Sequence, residues 1–169
     1  MPPGKLKAMI HIDPDSPTTA DVRLLLDEHL ADMFATSPAD SVHALDHSAL
    51  SVPEISFWTA REHGVLLGCG ALKRLSPDAG EIKSMRTTPA ARGRGIATLL
   101  LTHIVDEARG RRLEQLFLET GAEDFFAPAR RLYTRHGFTD CPPFGDYRLD
   151  PHSVFMRLTL VGDEVAEFA

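Results

Sequence analysis

A strand-like run, Gly80 to Thr87, leads into Arg92-Gly93-Arg94-Gly95-Ile96-Ala97, and an apolar repeat at helical spacing continues from Ile96 to Ala108. This strand, glycine turn and helix in direct succession constrain the chain more than any other feature. Two glycines let the backbone approach an anion closely, and a helix opening at the turn presents unsatisfied N–H groups with the positive end of its dipole behind them. The unit therefore predicts a phosphate cradle made by Arg92, Gly93, Arg94, Gly95, Ile96, Ala97 and Thr98, with the two arginines adding charge.

The residues in and after the cradle decide which phosphate ligand it suits. No Gly-Lys-Ser/Thr ending is present, which disfavours a nucleotide-hydrolysing P-loop. No G-x-G-x-x-G with an acidic residue about 20 positions on is present either, which disfavours a dinucleotide fold. The turn reads instead as R-x-x-G-x-A, carried by Arg92, Gly95 and Ala97, after a strand ending in Met85-Arg86-Thr87-Thr88-Pro89. Downstream come another strand, an A-x-x-x-Tyr helix (Ala129 to Tyr133) and the pair Gly137-Phe138.

These two motifs in this order resemble the GNAT superfamily of N-acetyltransferases, over roughly residues 5 to 160. The segments E-I-K-S-M-R-T, L-E-T-G, P-A-R-R-L-Y, C-P-P-F-G-D-Y and D-P-H-S-V-F-M are similar to its bacterial YsnE-like members, whose acceptors are poorly defined. The resemblance implies a mixed α/β fold with a single, mostly antiparallel, splayed sheet flanked by helices. It also implies acetyl-CoA as cosubstrate, held by Met85, Thr87 and the turn residues. The splay is expected between Glu81–Thr87 and Gln115–Thr120.

A chain of 169 residues with 43% apolar content suits one domain, here 1–169, with a core over about 5–160 and an acidic tail at 162–169. The absence of a leader pattern or a long apolar run predicts a cytoplasmic protein with no membrane partner. A net charge of −6 with no basic run argues against nucleic acid as a partner. Arg109-Gly110-Arg111-Arg112 is the local exception and reads as the close of a helix. Cys69 and Cys141 have no metal-ligand spacing, so free thiols and no metal are expected. A homodimer is left open.

Periodicity predicts a strand from Leu6 to Ile12, a helix through Val22 to Phe34 with Thr18 and Asp21 as a capping box, and a short helix from Ser41 to Leu50. A hairpin comes next, Ile55 to Arg61 and Val65 to Leu72, turning at Glu62-His63-Gly64. Beyond the cradle, Gly110 closes the long helix and Gln115 to Thr120 is a strand. Pro128 to His136 is a helix capped by Gly137, Phe138 to Pro143 is extended, and Val154 to Leu160 is the last strand.

Acetyl transfer to an amine needs a neutral amine, stabilisation of a developing oxyanion and a proton for the departing thiolate. By resemblance Tyr133 is the proton donor, with a core tyrosine as the alternative. Glu81, eleven residues before Arg92, stands where several GNAT enzymes carry a base. Strand alternation puts it on one face with Lys83, so an exposed ion pair competes with that role, and a bulge would change the facing. Phe126 stands where the family often has a cofactor-contacting Asn. His43, Glu119, Asp146 and Tyr147 are the candidates for an acceptor site, beside Phe144, against the alternatives of a solvated histidine and plain loop packing. They suit a small-molecule amine or amino acid, whose carboxylate would fall to Arg86 or His43. A CoA-binding module without catalysis and a protein N-acetyltransferase are the rival functions.

Overall fold

The computed structural model describes residues 9–160. Leu6 to Ala8 of the expected first strand, and the acidic tail, lie outside the described residues. Strand β1 (Ile10–Pro14) is followed by helix α1 (Ala20–Thr36), the hairpin β2 (Ile55–Glu62) and β3 (Val65–Ser76), and β4 (Ala79–Thr87). Helix α2 (Ile96–Gly110), β5 (Gln115–Gly121), helix α3 (Ala127–Arg135), β6 (Thr139–Asp140) and β7 (Ser153–Thr159) complete the order. The strands form one sheet in the order β1-β2-β3-β4-β5-β7-β6, antiparallel except for β4 with β5.

Alternation along β2 and β3 sends side chains to two helical layers. Phe57, Cys69 and Ala71 pack with Val22, Leu25 and Leu26 of α1. On the other face Trp58, Leu72 and Ile82 pack with Leu101, Ile104, Val105 and Ala108 of α2. The hairpin turns tightly because His63 and Gly64 both take positive φ, at 50° and 79°, which matches the twist of the flanking strands.

One irregularity sets the site. Lys83 pairs with Ala71 and Arg86 pairs with Cys69, so Gly70 faces both Ser84 and Met85, a bulge in β4 with Ser84 at φ 56°. The bulge shifts the alternation by one residue. Glu81 and Lys83 face α1, as alternation requires, and beyond the bulge Arg86 faces α1 as well, while Met85 turns toward Ile104 of α2. The bulge thus leaves the facing of Glu81 unchanged and alters the residues beyond it.

Several local expectations are corrected. No helix forms over Ser41 to Leu50; a single 3-10 turn at Ala39–Ser41 precedes irregular chain. There Asp46 accepts bonds from the Ala49 N–H and the Ser48 hydroxyl, both at 2.8 Å, local bonds that compete with a helical ladder. The capping box at Thr18 and Asp21 is not made: Thr19 is the N-cap, Thr18 bonds Ser16, and Asp21 pairs with Arg61 at 2.7 Å. Gly110 remains helical, and the chain turns instead at Arg112, with φ 61°. Arg111 lies over the Trp58 ring and pairs with Glu107, so the basic cluster is structural. Extended pairing at β6 stops at Asp140, short of Pro142 and Pro143, which have no N–H to donate.

Just beyond the bulge, where Gly68 pairs with Thr87, β3 needs a small residue. A Cβ at Gly68 would stand 2.8 Å from the Arg86 carbonyl oxygen and 3.0 Å from Ile96. Backbone cannot swing aside, so Gly68→Ala should cost about 1–3 kcal/mol and lower Tm by several degrees, read by thermal denaturation. An unchanged Tm would show that β4 is free to shift there.

Candidate active site

β4 and β5 pair over only three positions, Ala79 with Gln115, Gly80 with Leu116 and Glu81 with Phe117, and then part. From that fork opens a cavity of about 630 Å³. One wall is Glu81 to Thr87 of β4, the other Glu119 to Gly121 of β5 with Ala129, Leu132 and Tyr133 of α3. The glycine turn closes one end, and His29, Met33, Ser37 and Ser41–Ala44 close the α1 side.

At the turn Gly93 and Gly95 hold φ at 81° and 78°, a region unfavourable to other residues, and the space a Cβ would enter is open at both. The first bond within α2 runs from Leu99 N–H to Gly95 C=O at 3.1 Å. Ile96, Ala97 and Thr98 therefore offer N–H groups without helical partners to the cavity that they line. An anionic phosphate chain fits this cradle. Arg92 lines it too, whereas the Arg94 side chain pairs with Glu62 at 3.0 Å and is not part of the wall. Phe126 is buried at the N-cap of α3, its ring against Gly121.

Glu81 is buried, 3% exposed, so its ion pair with Lys83 is an interior one rather than the exposed pair that alternation allowed. Oε2 of Glu81 accepts from the Tyr147 hydroxyl at 2.6 Å and from Lys83 Nζ at 3.2 Å, and Lys83 also donates to the Tyr147 oxygen at 3.0 Å. Burial and the Glu81 carboxylate drive the Tyr147 pKa well above the usual phenol value. Tyr147 packs edge-on to His43 at 5.0 Å and to Phe144 at 5.0 Å, so the Phe144–Tyr147 loop is clamped to the sheet.

Across the fork, burial pushes the Glu119 carboxyl up to about 7, with the nearby Glu81 charge adding and Lys83 opposing. Tyr133 is buried, and burial together with the Glu119 carboxylate raises its pKa above the ordinary value of a phenol. The fold thus brings Glu81, Glu119, Tyr133, His43, Met85, Thr87, Arg92 and the turn residues to one cavity. Arg94, Asp146 and Tyr147 are not among them. Asp146 and Tyr147 line a second cavity of about 760 Å³, which shares His43, Glu81 and Lys83 with the first. Sequence reasoning missed His29 and Ser84, although His29 follows Leu25 and Leu26 on the buried stripe of α1, where a polar residue is conspicuous. Ser84 is placed only by the bulge.

A model of the acetyltransferase (GNAT) family matches residues 22–138. The chain belongs to the GNAT family. It is an N-acetyltransferase, 50% identical over 151 residues to the uncharacterized N-acetyltransferase YsnE of Bacillus subtilis, with 89% of this chain and all of that protein covered. It is 43% identical to an IAA acetyltransferase of Azospirillum brasilense, covering 80% of this chain and 86% of that one. Among solved structures, a Klebsiella pneumoniae protein assigned as an acyl-CoA N-acyltransferase superposes with a TM-score of 0.77. It is 32% identical and covers 90% of this chain and 99% of that chain. GNAT structures have been solved with acetyl-CoA bound. Among the described residues no helix is long and apolar enough to cross a membrane.

The Glu119 shift has a consequence for stability. Its folded pKa of about 7 lies above the ordinary carboxyl value of 4.5, so its contribution is fully present below about pH 4.5 and is lost as pH rises through 7. Glu119→Gln should therefore melt above wild type at pH 8, with the difference shrinking toward pH 4.5. A Tm difference that does not vary with pH would contradict the raised pKa.

Proposed function

We propose that this N-acetyltransferase moves an acetyl group from acetyl-CoA to the amine of a small molecule, the amine attacking the thioester directly. The observation that carries this reading is the single cavity joining the cradle at Gly93–Thr98 to Glu81, Glu119 and Tyr133 through the β4–β5 fork. A volume near 630 Å³ is in the range of small-molecule sites. The name of the IAA acetyltransferase relative also supports a non-protein acceptor.

Arg92 and the N–H groups of Ile96, Ala97 and Thr98 would hold the cofactor's phosphates, with Met85 and Thr87 flanking its path between the strands. Acetyl-CoA supplies the activated acyl group; proton handling is left to the protein. The raised Tyr133 pKa keeps the phenol protonated at neutral pH, ready to donate to a departing thiolate. Glu119 titrates near neutrality, where a carboxylate can take a proton from an arriving ammonium. The two are coupled. Once Glu119 is protonated its charge no longer raises the Tyr133 pKa, so accepting the first proton makes the second easier to give. Glu81, with Oε2 engaged by Tyr147 and Lys83, contributes negative charge and relays through water in this scheme.

Tyr133→Phe should lower kcat about 10²–10⁴-fold with little change in acetyl-CoA affinity. Equal turnover in the two proteins removes the acid role. For wild type, kcat/KM should rise with pH through about 7 as Glu119 ionises, and Glu119→Gln should lose that limb. In Gly95→Val, a β-branched residue at φ 78° crowds the cradle, so calorimetry should read weaker acetyl-CoA binding in the folded variant. Thiol release assayed across a panel of free amines and amino acids tests the acceptor class; acetylation confined to intact proteins would put a protein acetyltransferase in its place.

A further inference from the structure

Acetyl transfer at the fork leaves the second cavity, of about 760 Å³, without a role. The two cavities have three lining residues in common, His43, Glu81 and Lys83. Tyr147 touches all three. Its hydroxyl donates to Glu81 Oε2 at 2.6 Å and accepts from Lys83 Nζ at 3.0 Å, while its ring meets the His43 ring edge-on at 5.0 Å. Tyr147 lines the second cavity and not the first, so its side chain covers the place where the two meet.

That side chain is firmly held. Phe144 and Phe155 pack against the same ring at 5.0 and 5.4 Å, and Phe144 is itself stacked on Phe117 of β5 at 4.8 Å. Burial and the Glu81 carboxylate raise the phenol pKa, so the hydroxyl keeps the proton that it donates. Swinging the ring aside would take a hydrogen bond from a buried carboxylate, which is unfavourable. Size then matters. A volume near 630 Å³ lies in the range of pockets that hold one drug-sized ligand, and the fork has to take the end of the cofactor's thioester arm as well as the acceptor. Little room is left for the acceptor while Tyr147 is in place.

We propose that the Tyr147 ring is the specificity-determining wall of the acceptor site: it confines the acceptor to a compact amine, and its removal opens the second cavity to amines with a long apolar or aryl extension. This rests on the acetyl-transfer reading and adds to it a limit on the acceptor and the residue that sets that limit. Leu75, Phe144 and Leu149 on the lining of the second cavity suit such an extension. Exclusion of this kind works by clash rather than by added attraction, so it acts on large amines and leaves small ones untouched.

The test needs no knowledge of the natural acceptor. CoA conjugates whose sulfur is joined through an acetyl bridge to an amine nitrogen carry the acceptor group into the fork on the cofactor itself, and calorimetry reads their affinity for the full-length protein. One conjugate is made with methylamine and the other with 4-phenylbutylamine. Wild type should bind the second about tenfold or more weakly than the first. Tyr147→Ala should bring the two within about threefold, whereas Tyr147→Phe, which keeps the ring and loses only the hydroxyl, should retain the discrimination. Tyr147→Leu, which keeps apolar packing in the loop, repeats the measurement if Tm shows the alanine variant to be unfolded. Equal affinities in wild type overturn the wall, whatever the variants do. Discrimination that survives in the folded alanine or leucine variant also overturns it, as does its loss in Tyr147→Phe, since another group or the hydroxyl then sets the limit. Thiol release with the panel of free amines separates the two proposals. Turnover without discrimination between the conjugates keeps acetyl transfer and removes the wall. Discrimination without turnover of any free amine keeps the wall and sinks small-molecule transfer, and a wild type that binds neither CoA nor either conjugate overturns both.

Discussion

The fork between β4 and β5 is the constraint on which the rest depends. Three paired positions hold the strands together at one end, and the seven-stranded sheet is continuous only because that seam exists. Past Glu81 the backbone groups on the facing edges of both strands have no strand partner, which inside a protein is unfavourable unless something else satisfies them. The glycine turn at the far end of β4 and the helix after it set the open end of the fork against a row of N–H groups. Core packing fixes the β2–β4 part of the sheet on both faces: α2 packs on Leu72 and Ile82 on one side, and α1 on Phe57 and Ala71 on the other.

Within this frame the bulge at Ser84 and Met85 does two things at once. It puts Met85 into the α2 core beside Ile104, anchoring the strand, and it brings Arg86 onto the face that already carries Glu81 and Lys83. Without the extra residue Arg86 would point into the α2 layer, where a guanidinium has no partner and a large desolvation cost. A charged residue at that position is thus compatible with the fold only because Gly68 and Gly70 let β4 crowd β3. The left-handed Ser84 is part of the same arrangement.

Much of this was legible in the residues. The strand, glycine turn and helix declared themselves through period and composition, and Tyr133 and Glu81 fell at the spacing of the resembled family. Facing and burial could not be read. Alternation correctly put Glu81 beside Lys83, yet nothing local says that a loop some sixty residues later brings Tyr147 over the pair and buries it. The Ser41–Leu50 segment misled for the opposite reason, since helical spacing was present but Asp46 and Ser48 favour turn bonds of their own. Arg94 looked identical to Arg92 in charge and distance from the glycines; only the position of Glu62 on β2 separates them. Asp146 and Tyr147 share a loop and line the second cavity together, a placement that their spacing in the sequence does not reveal.

The clamp on the Phe144–Tyr147 loop has a wider consequence. Phe144 stacks on Phe117 at 4.8 Å and meets Phe155 edge-on, while Tyr147 is tied to the sheet through Glu81 and Lys83. The loop is therefore fixed by Phe144 and Tyr147 to β4, β5 and β7, while Gly145 and Asp146 within it, and Arg148 and Leu149 just after it, bear none of that anchoring. Sequence drift at those four positions would recolour the rim of the second cavity while the buried pair beneath stays in register. A family built this way can diversify the molecules it admits from that side without re-evolving its interior, with Tyr147 acting as the partition between a surface open to change and a centre that is not.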